Sequence, residues 1–302
     1  MEKSTLVSIC IPTRNRIGLL KKVIKSIVND NVDYSLFEIV ISDNSDDNQT
    51  ENYCKEMKKL GVNVTYYKNE NMGFYNSITS LSLGRGKFLK LHNNYSTFVS
   101  GQFKELVEWV EKNKVEKPML FFTNGELGLK PNKIITINNR NLFLNKATYL
   151  ITWSSGFSIW RDNFEELDTS EGQVNEMFPH TSLLLKSLPK SYVINDDIVI
   201  QNLKVDKKGG YNIFKCFCLD FLHMIRNDIN LDKRTKLKIK YDLYYRFIIV
   251  WYYRTIIDNR NEFTFDTENA FNYIRQAYGL PLSIVVVLIG KIRIALKWLC
   301  NV

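Results

Sequence analysis

Ser82–Gly101 reads SLGRGKFLKLHNNYSTFVSG. Gly84-Arg85-Gly86 is turn chemistry. Lys87 to Leu91 is a short run with strand character. That strand delivers the chain into His92-Asn93-Asn94-Tyr95-Ser96, a polar cluster at its carboxyl end. In an open α/β sheet this is where ligands gather. The cluster supplies amides, hydroxyls and one imidazole, but no carboxylate.

Upstream the same alternation recurs. Leu6 to Ile11 is a continuous apolar run of the buried parallel-strand kind. Pro12 to Arg16 ends it, and Ile17, Leu19, Leu20, Val23, Ile24 and Ile27 then recur at helical spacing. Phe37 to Ser42 predicts a second strand, ending in Asp43-Asn44-Ser45-Asp46-Asp47. A helix follows from Gln49 to Leu60, and Val62 to Tyr67 is a third strand. Asn71-Met72-Gly73 caps a helix reaching Leu83. Strands alternating with helices over the first 115 residues predict an α/β fold with a parallel sheet and helices on both faces.

Downstream, a helix runs from Gly101 to Lys114 with Leu106, Trp109 and Val110 as its buried stripe. Pro118 to Thr123 is another strand. Residues 124–147 are polar and read as a hairpin insertion. Tyr149 to Trp160 reads as a strand broken by Ser154-Ser155-Gly156. A helix lies within Glu171 to Leu188. Ser191 to Val205 is strand-like, and Asp206 to Gly210 is a flexible basic turn. From Phe214 the pattern is helical. Residues 1–212 are expected to form the α/β domain, and 213–302 a basic, aromatic, helical C-terminal region.

The chain has 302 residues with 45% apolar and 24% charged content, which suits a folded protein with a sizeable core and excludes a disordered one. Of the net charge of +9, most lies at the end: Lys204 to Val302 holds 17 Lys/Arg against 9 Asp/Glu. That excess points to an anionic partner or to a solvated helix face. The five cysteines lack a framework spacing and predict free thiols in a reducing compartment. The amino terminus leads straight into a strand, without a secretory pattern. No apolar run reaches the roughly 18–20 residues of a spanning helix. Pro281 to Leu299 is nonetheless very apolar, with Lys291, Arg293, Lys297 and Trp298 in its second half. It fits a helix lying on a membrane surface, or one that packs on the core.

Val7 to Arg16, VSICIPTRNR, resembles the opening strand and loop of family 2 glycosyltransferases with the GT-A fold, a Rossmann-like mixed sheet flanked by helices. Glu38 to Ser45 is similar to their second strand, and Asn69 to Gly73 to their third junction. The branch it most resembles is the abequosyltransferase-like one, of bacterial surface-polysaccharide enzymes. The resemblance covers about residues 5–210. It implies a nucleotide-sugar donor, with Pro12, Thr13 and Arg16 lining the nucleoside pocket and Asp43 accepting a hydrogen bond from the base. Asp43-Asn44-Ser45 is also good turn chemistry.

The family ends its fourth strand with a DxD motif that holds Mn²⁺ or Mg²⁺ against the donor diphosphate. Aligned through Gly86 and Gly101, its carboxylates fall on Asn94 and Ser96. Hard divalent cations want charged oxygens, so a metal is disfavoured and none is assigned. Arg14, Arg85, Lys207 and Lys208 are then the candidates to neutralise the diphosphate, Lys207 and Lys208 by closing over it or else as a solvated hairpin tip. The family's catalytic Asp aligns with His180, at the start of a helix. A neutral imidazole is a competent general base, and Glu176 is the fallback. The alternative is that His180 caps or packs the helix. Trp153, Ser155 and Gly156 fall where the acceptor approaches, although Trp153 can equally be core. His92 reads as structural and His223 as a packing residue.

The expected protein is an inverting hexosyl- or deoxyhexosyl-transferase acting on a lipid-linked or polymeric glycan. It is expected peripheral on the cytoplasmic face of the membrane, with its C-terminal helices held on anionic lipid or self-associating. The rival is a non-catalytic binding or scaffold protein of the same fold. Nucleic acid is not an expected partner, because the Tyr/Lys/Arg interleaving at 233–254 is also that of an amphipathic helix on lipid.

Overall fold

The computed structural model describes residues 5–70, 73–259 and 262–300. The chain divides into two compact units, Met1–Phe143 with Leu150–Lys204, and Leu144–Tyr149 with Val205–Val302.

The first unit opens with β1 (Val7–Thr13), α1 (Ile17–Val28), β2 (Phe37–Asp43), α2 (Gln49–Lys59), β3 (Val64–Lys68), α3 (Asn76–Ser82) and β4 (Phe88–Leu91). It continues with β5 (Ser96–Phe98), α4 (Gln102–Asn113), β6 (Met119–Phe122), β7 (Ile134–Ile137) and α5 (Arg140–Ala147), the last running into the second unit. Then come β8 (Ser158–Trp160), α6 (Arg161–Glu165), α7 (Pro179–Lys186), β9 (Tyr192–Asn195) and β10 (Ile200–Asn202). The central sheet has the order β3-β2-β1-β4-β8, parallel except for β8. β9 pairs parallel with β6 and antiparallel with β7, and β5 pairs antiparallel with β10.

β2 is buried at every position and β1 at all but Pro12, which is why both read as unbroken apolar runs. α1 lays Leu20, Val23, Ile24 and Ile27 on the sheet, each contributing about 1.5–3 kcal/mol by burial. Gly86 permits β4 to enter beside β1, since a Cβ there would lie 2.7 Å from the Ser8 nitrogen. α4 starts on Asp30, whose carboxylate accepts from the amides of Gly101 (2.8 Å) and Phe103 (2.9 Å). Beneath the β4 exit, Phe37, Phe103, Phe98 and His92 form an aromatic row.

Several expectations need correction. Tyr149–Trp160 is not a broken strand: Thr148–Thr152 is a 3₁₀ helix and only Ser158–Trp160 is extended. The apolar run Tyr149-Leu150-Ile151 is buried by packing, not by strand pairing. Residues 124–147 contain one strand, β7, and a helix, not a hairpin. The basic turn at 206–210 is partly a strand, Lys208–Asn212, parallel to Phe263–Asp266. Asn71 and Met72 of the expected helix cap lie outside the described residues, as do the side chains of Lys297 and Trp298.

The second unit is otherwise helical, over 213–227, 233–257, Ala270–Tyr278 and Leu280–Cys300. Tyr244 and Tyr252 point inward while Tyr241 and Tyr245 are exposed. The Tyr244 hydroxyl donates to the Leu282 carbonyl at 2.7 Å, and Tyr278 to that of Lys240 at 3.0 Å. His223, expected to pack, is exposed. The last helix leaves Leu280, Ile284, Leu288, Ile292 and Leu296 exposed at four-residue intervals. Among the described residues no helix is long and apolar enough to cross a membrane.

Candidate functional site

The carboxyl ends of β1, β2 and β4 converge on one polar surface. β1 delivers Thr13 and the loop Arg14-Asn15-Arg16. β2 delivers Asp43-Asn44-Ser45, and β4 delivers His92 to Tyr95. The Asn94 amide donates to the Thr13 hydroxyl at 2.8 Å. The guanidinium of Arg16 stands over the Tyr95 ring, 5.8 Å from its centre. Two of the predicted donor residues are thus tied directly to the loop after β4. Arg14 lies in the same loop, half-exposed, with its guanidinium 3.9 Å from Asp46.

Amides hold the neighbouring loops. The Asn44 side chain donates to the Asn69 carbonyl (2.9 Å), Asn69 to Asn76 (2.9 Å), and Asn76 to the Ser42 carbonyl (3.0 Å). Asn15 takes a positive φ of 50° and exchanges hydrogen bonds with Asp46. Asp43 is fully buried. One of its oxygens accepts from the amide and hydroxyl of Ser45, and the other from the Tyr66 hydroxyl at 3.1 Å. Its carboxylate therefore shapes the β2 loop from within.

Asn94 and Ser96, where the resemblance puts metal-binding carboxylates, are 4% and 0% exposed. The Ser96 hydroxyl donates to Asn202 at 2.6 Å. A neutral amide bound to Thr13 and a hydroxyl turned to another amide do not fit a hard divalent cation. Among the described residues no group of three or more His, Cys, Asp and Glu side chains is arranged to hold a metal.

The turn at Trp153–Phe157 is locked to this loop. Ser154 donates to Asn93 (2.6 Å), and the Asn93 amide donates to the Ser155 hydroxyl (2.9 Å). Lys90, 1% exposed, donates to the carbonyls of Leu91 (2.9 Å) and Ser155 and lies 4.8 Å from the centre of the Phe122 ring. Burial drives its pKa down to about 7. Ser155 and Gly156 are buried, and a Cβ at Gly156 would lie 2.7 Å from the Phe122 carbonyl. These two build the turn. Trp153 is half-buried against the core.

His180 is the second residue of α7. It is 6% exposed, and its Nε2–H donates to the Thr152 carbonyl at 3.0 Å. Burial holds its pKa down to about 4. Beside it, Thr181 donates to the Ile151 carbonyl at 3.0 Å, so the pair fastens α7 to the preceding turn. A weakly basic ring with its proton committed is a poor general base. Glu176, three residues ahead of α7, is exposed. His92 is structural, as expected: it is buried, stacked on Phe98, and donates to the Ser96 carbonyl at 2.6 Å. Burial, then the charge of Lys90, hold its pKa down to about 3.

Arg85 is at the wrong end of the sheet. It precedes β4, and its guanidinium pairs with the buried Glu38 at 3.0 Å, near the start of β2. Lys207 and Lys208 belong to the second unit, where the Lys207 carbonyl accepts from Thr264 at 2.9 Å. Asn93 and Tyr95 belong to the polar cluster that the sequence marks after β4, without an individual role there, whereas Lys90 carries only the signal of a lysine inside an otherwise apolar strand.

Comparisons place this geometry. A bacterial relative from Campylobacter jejuni, the GalNAc(5)-diNAcBac-PP-undecaprenol beta-1,3-glucosyltransferase, is 29% identical over 105 residues. That match spans 34% of this chain and only 33% of the relative. The crystal structure of S. aureus TarS superposes with a TM-score of 0.57 at 13% identity, over 92% of this chain and 50% of that one. The mannosyltransferase PcManGT from Pyrobaculum calidifontis, in complex with GDP-Man and Mn²⁺, gives 0.53 at 14% identity, over 95% and 80%. These likenesses establish a GT-A-type fold. Residues 8–167, just over half of the sequence, match the model for glycosyl transferase family 2, and the chain belongs to that family.

Proposed function

We propose that the protein transfers a hexose or deoxyhexose from a nucleotide-sugar to a lipid-linked or polymeric glycan acceptor, with inversion, in the assembly of a bacterial surface polysaccharide. The observation that carries the reading is the Asn94–Thr13 bond together with Arg16 over Tyr95. They unite the loops after β1 and β4 at the end of the sheet where ligands bind. The lipid-linked substrate in the name of the Campylobacter relative supports the acceptor class.

In this reading the nucleoside lies against Pro12 and Thr13, on the loop that Asp43 and Ser45 shape. Arg14 and Arg16 face the diphosphate and take up the charge that grows as it leaves. The neutral ends of Asn94 and Ser96 favour binding without a divalent cation. Glu176 receives the proton of the acceptor hydroxyl as that oxygen attacks the anomeric carbon from the face opposite the nucleotide. The bond to the diphosphate breaks, nucleoside diphosphate leaves, and configuration inverts. Exposed apolar residues of the last helix, with Lys291 and Arg293 beside them, support peripheral contact with an anionic membrane surface.

The test is transfer in EDTA from a panel of nucleotide-sugars to lipid-linked saccharide, read by mass spectrometry and by NMR of the new anomeric centre. One added sugar with inverted configuration supports the proposal. Nucleotide binding without transfer from any donor would favour the non-catalytic alternative, for which the buried His180 is the motivating observation.

A further inference from the structure

The second unit holds a basic cavity that nothing in the proposed transfer reaction uses. Its volume is about 390 Å³, within the range of small-ligand sites. The helices over 213–227, 233–257 and Ala270–Tyr278 enclose it. Its apolar wall includes Leu219, Leu222, Ile225 and Leu237, and its cations are Arg226, Lys236 and Lys240, with His223 alongside. Asp220 also lines it.

The cations are gathered by the fold. Lys236 donates to the Arg226 carbonyl at 2.7 Å, and the Arg226 guanidinium donates to His223 Nδ1 at 3.2 Å. Lys240 lies over the Tyr278 ring, 5.4 Å from its centre. Burial, then the charge of Arg226, lower its pKa. Against these three cations the cavity lining holds one carboxylate, Asp220. Like charges brought together in a partly apolar cavity repel, and an anion with several acceptor oxygens relieves this through charge-assisted hydrogen bonds.

The surroundings indicate what the anion is attached to. Leu219, Leu222, Ile225, Leu237 and Ala277 give the cavity an aliphatic side next to its cations, which suits an anion carried on an apolar body. Beside the cavity, Leu237, Tyr241 and Tyr245 form an exposed ridge at four-residue spacing, flanked by Arg234 and Lys238. Ile229, on the adjoining turn, is 92% exposed. Aliphatic and tyrosine side chains interleaved with cations suit an anionic lipid interface.

We propose that this cavity binds a phosphate or diphosphate group carried on an amphiphile, with the lipid headgroup seated among Arg226, Lys236 and Lys240 and the ridge resting on the acyl boundary. The inference stands on the second unit alone and holds whichever sugar the first unit handles.

The experiment is co-sedimentation of the full chain with phosphatidylcholine vesicles carrying either phosphatidic acid, a phosphomonoester, or phosphatidylglycerol, at matched surface charge. Preference for phosphatidic acid is expected, and R226Q/K240Q should weaken that binding about tenfold by removing two charge-assisted contacts. Leu222→Trp, which fills the cavity and keeps the charge, should abolish the preference too. The control K215Q/K233Q removes two exposed charges outside the cavity and should weaken both lipids equally and slightly. A parallel calorimetric titration with inorganic diphosphate separates the sources. Saturable binding lost in R226Q/K240Q, without vesicle preference, supports the cavity as a phosphate site but assigns it a soluble phosphorylated ligand. Equal retention on both vesicles, unchanged by R226Q/K240Q and by Leu222→Trp, with no diphosphate binding, overturns the proposal.

Discussion

The two ends of the central sheet solve opposite problems. At the amino end Glu38 is fully buried yet fully engaged, by Ser8 (2.8 Å), the Arg85 amide and the Arg85 guanidinium. At the carboxyl end the loops after β1, β2 and β4 are joined mainly by neutral amides and hydroxyls, and two arginines stay half-exposed or exposed in the β1 loop. The first end consumes its charge in stability, because an unpaired buried carboxylate is costly. In the proposed function the second keeps positive charge available for a ligand. Electrostatics at one end of a strand therefore says nothing about its role at the other.

The sharpest way to break the contrast is at the carboxyl end. Glu176→Gln should lower kcat by about a thousandfold, the general-base contribution, while the melting temperature stays unchanged because the side chain is exposed. A variant with near-normal turnover would remove Glu176 from the mechanism. At the amino end, Arg85→Met should cost about 2–3 kcal/mol in urea unfolding, below the loss for an isolated buried pair because Ser8 and the residue-85 amide still serve Glu38. Its nucleotide affinity should not change. Weakened nucleotide binding with intact stability would restore Arg85 to the donor site.

A pH series sharpens the role given to His180. Its pKa in the folded chain is about 4, against an ordinary 6.5. Between those values the unfolded chain binds a proton that the native chain does not, so stability falls as the pH drops from 6.5 toward 4. The loss from this residue is up to about 3 kcal/mol. His180→Gln should flatten that slope, and an identical slope in the variant contradicts the burial argument. The smallest effect is expected from Asn94→Ala, which frees Thr13 and should weaken nucleotide binding about tenfold, one charge-neutral hydrogen bond. An increase in affinity would show that Asn94 obstructs the site.

The strands of the central sheet are legible in the sequence because burial on both faces writes itself as unbroken apolar runs. The same logic misleads at Tyr149-Leu150-Ile151, where an apolar run is buried as a 3₁₀ turn. Arg85 is misassigned although the chain order contains the answer: it precedes β4, and residues before a parallel strand lie opposite the ligand-binding edge. His180 illustrates a different limit. A motif position gives the start of a helix, whereas the burial that removes basicity comes from packing against residues such as Phe157, distant in sequence. Lys90 has no partner that spacing can reveal, since it binds carbonyls.

In the proposed function the carboxyl end of the sheet binds the donor through arginines and neutral groups. Calorimetric titration with UDP, GDP, CDP and dTDP, each in EDTA and again with Mn²⁺, tests it most directly. One nucleotide is expected to bind in EDTA, with Mn²⁺ leaving its affinity unchanged and Arg16→Gln weakening it. Binding that requires Mn²⁺, and that survives Arg16→Gln, would contradict it.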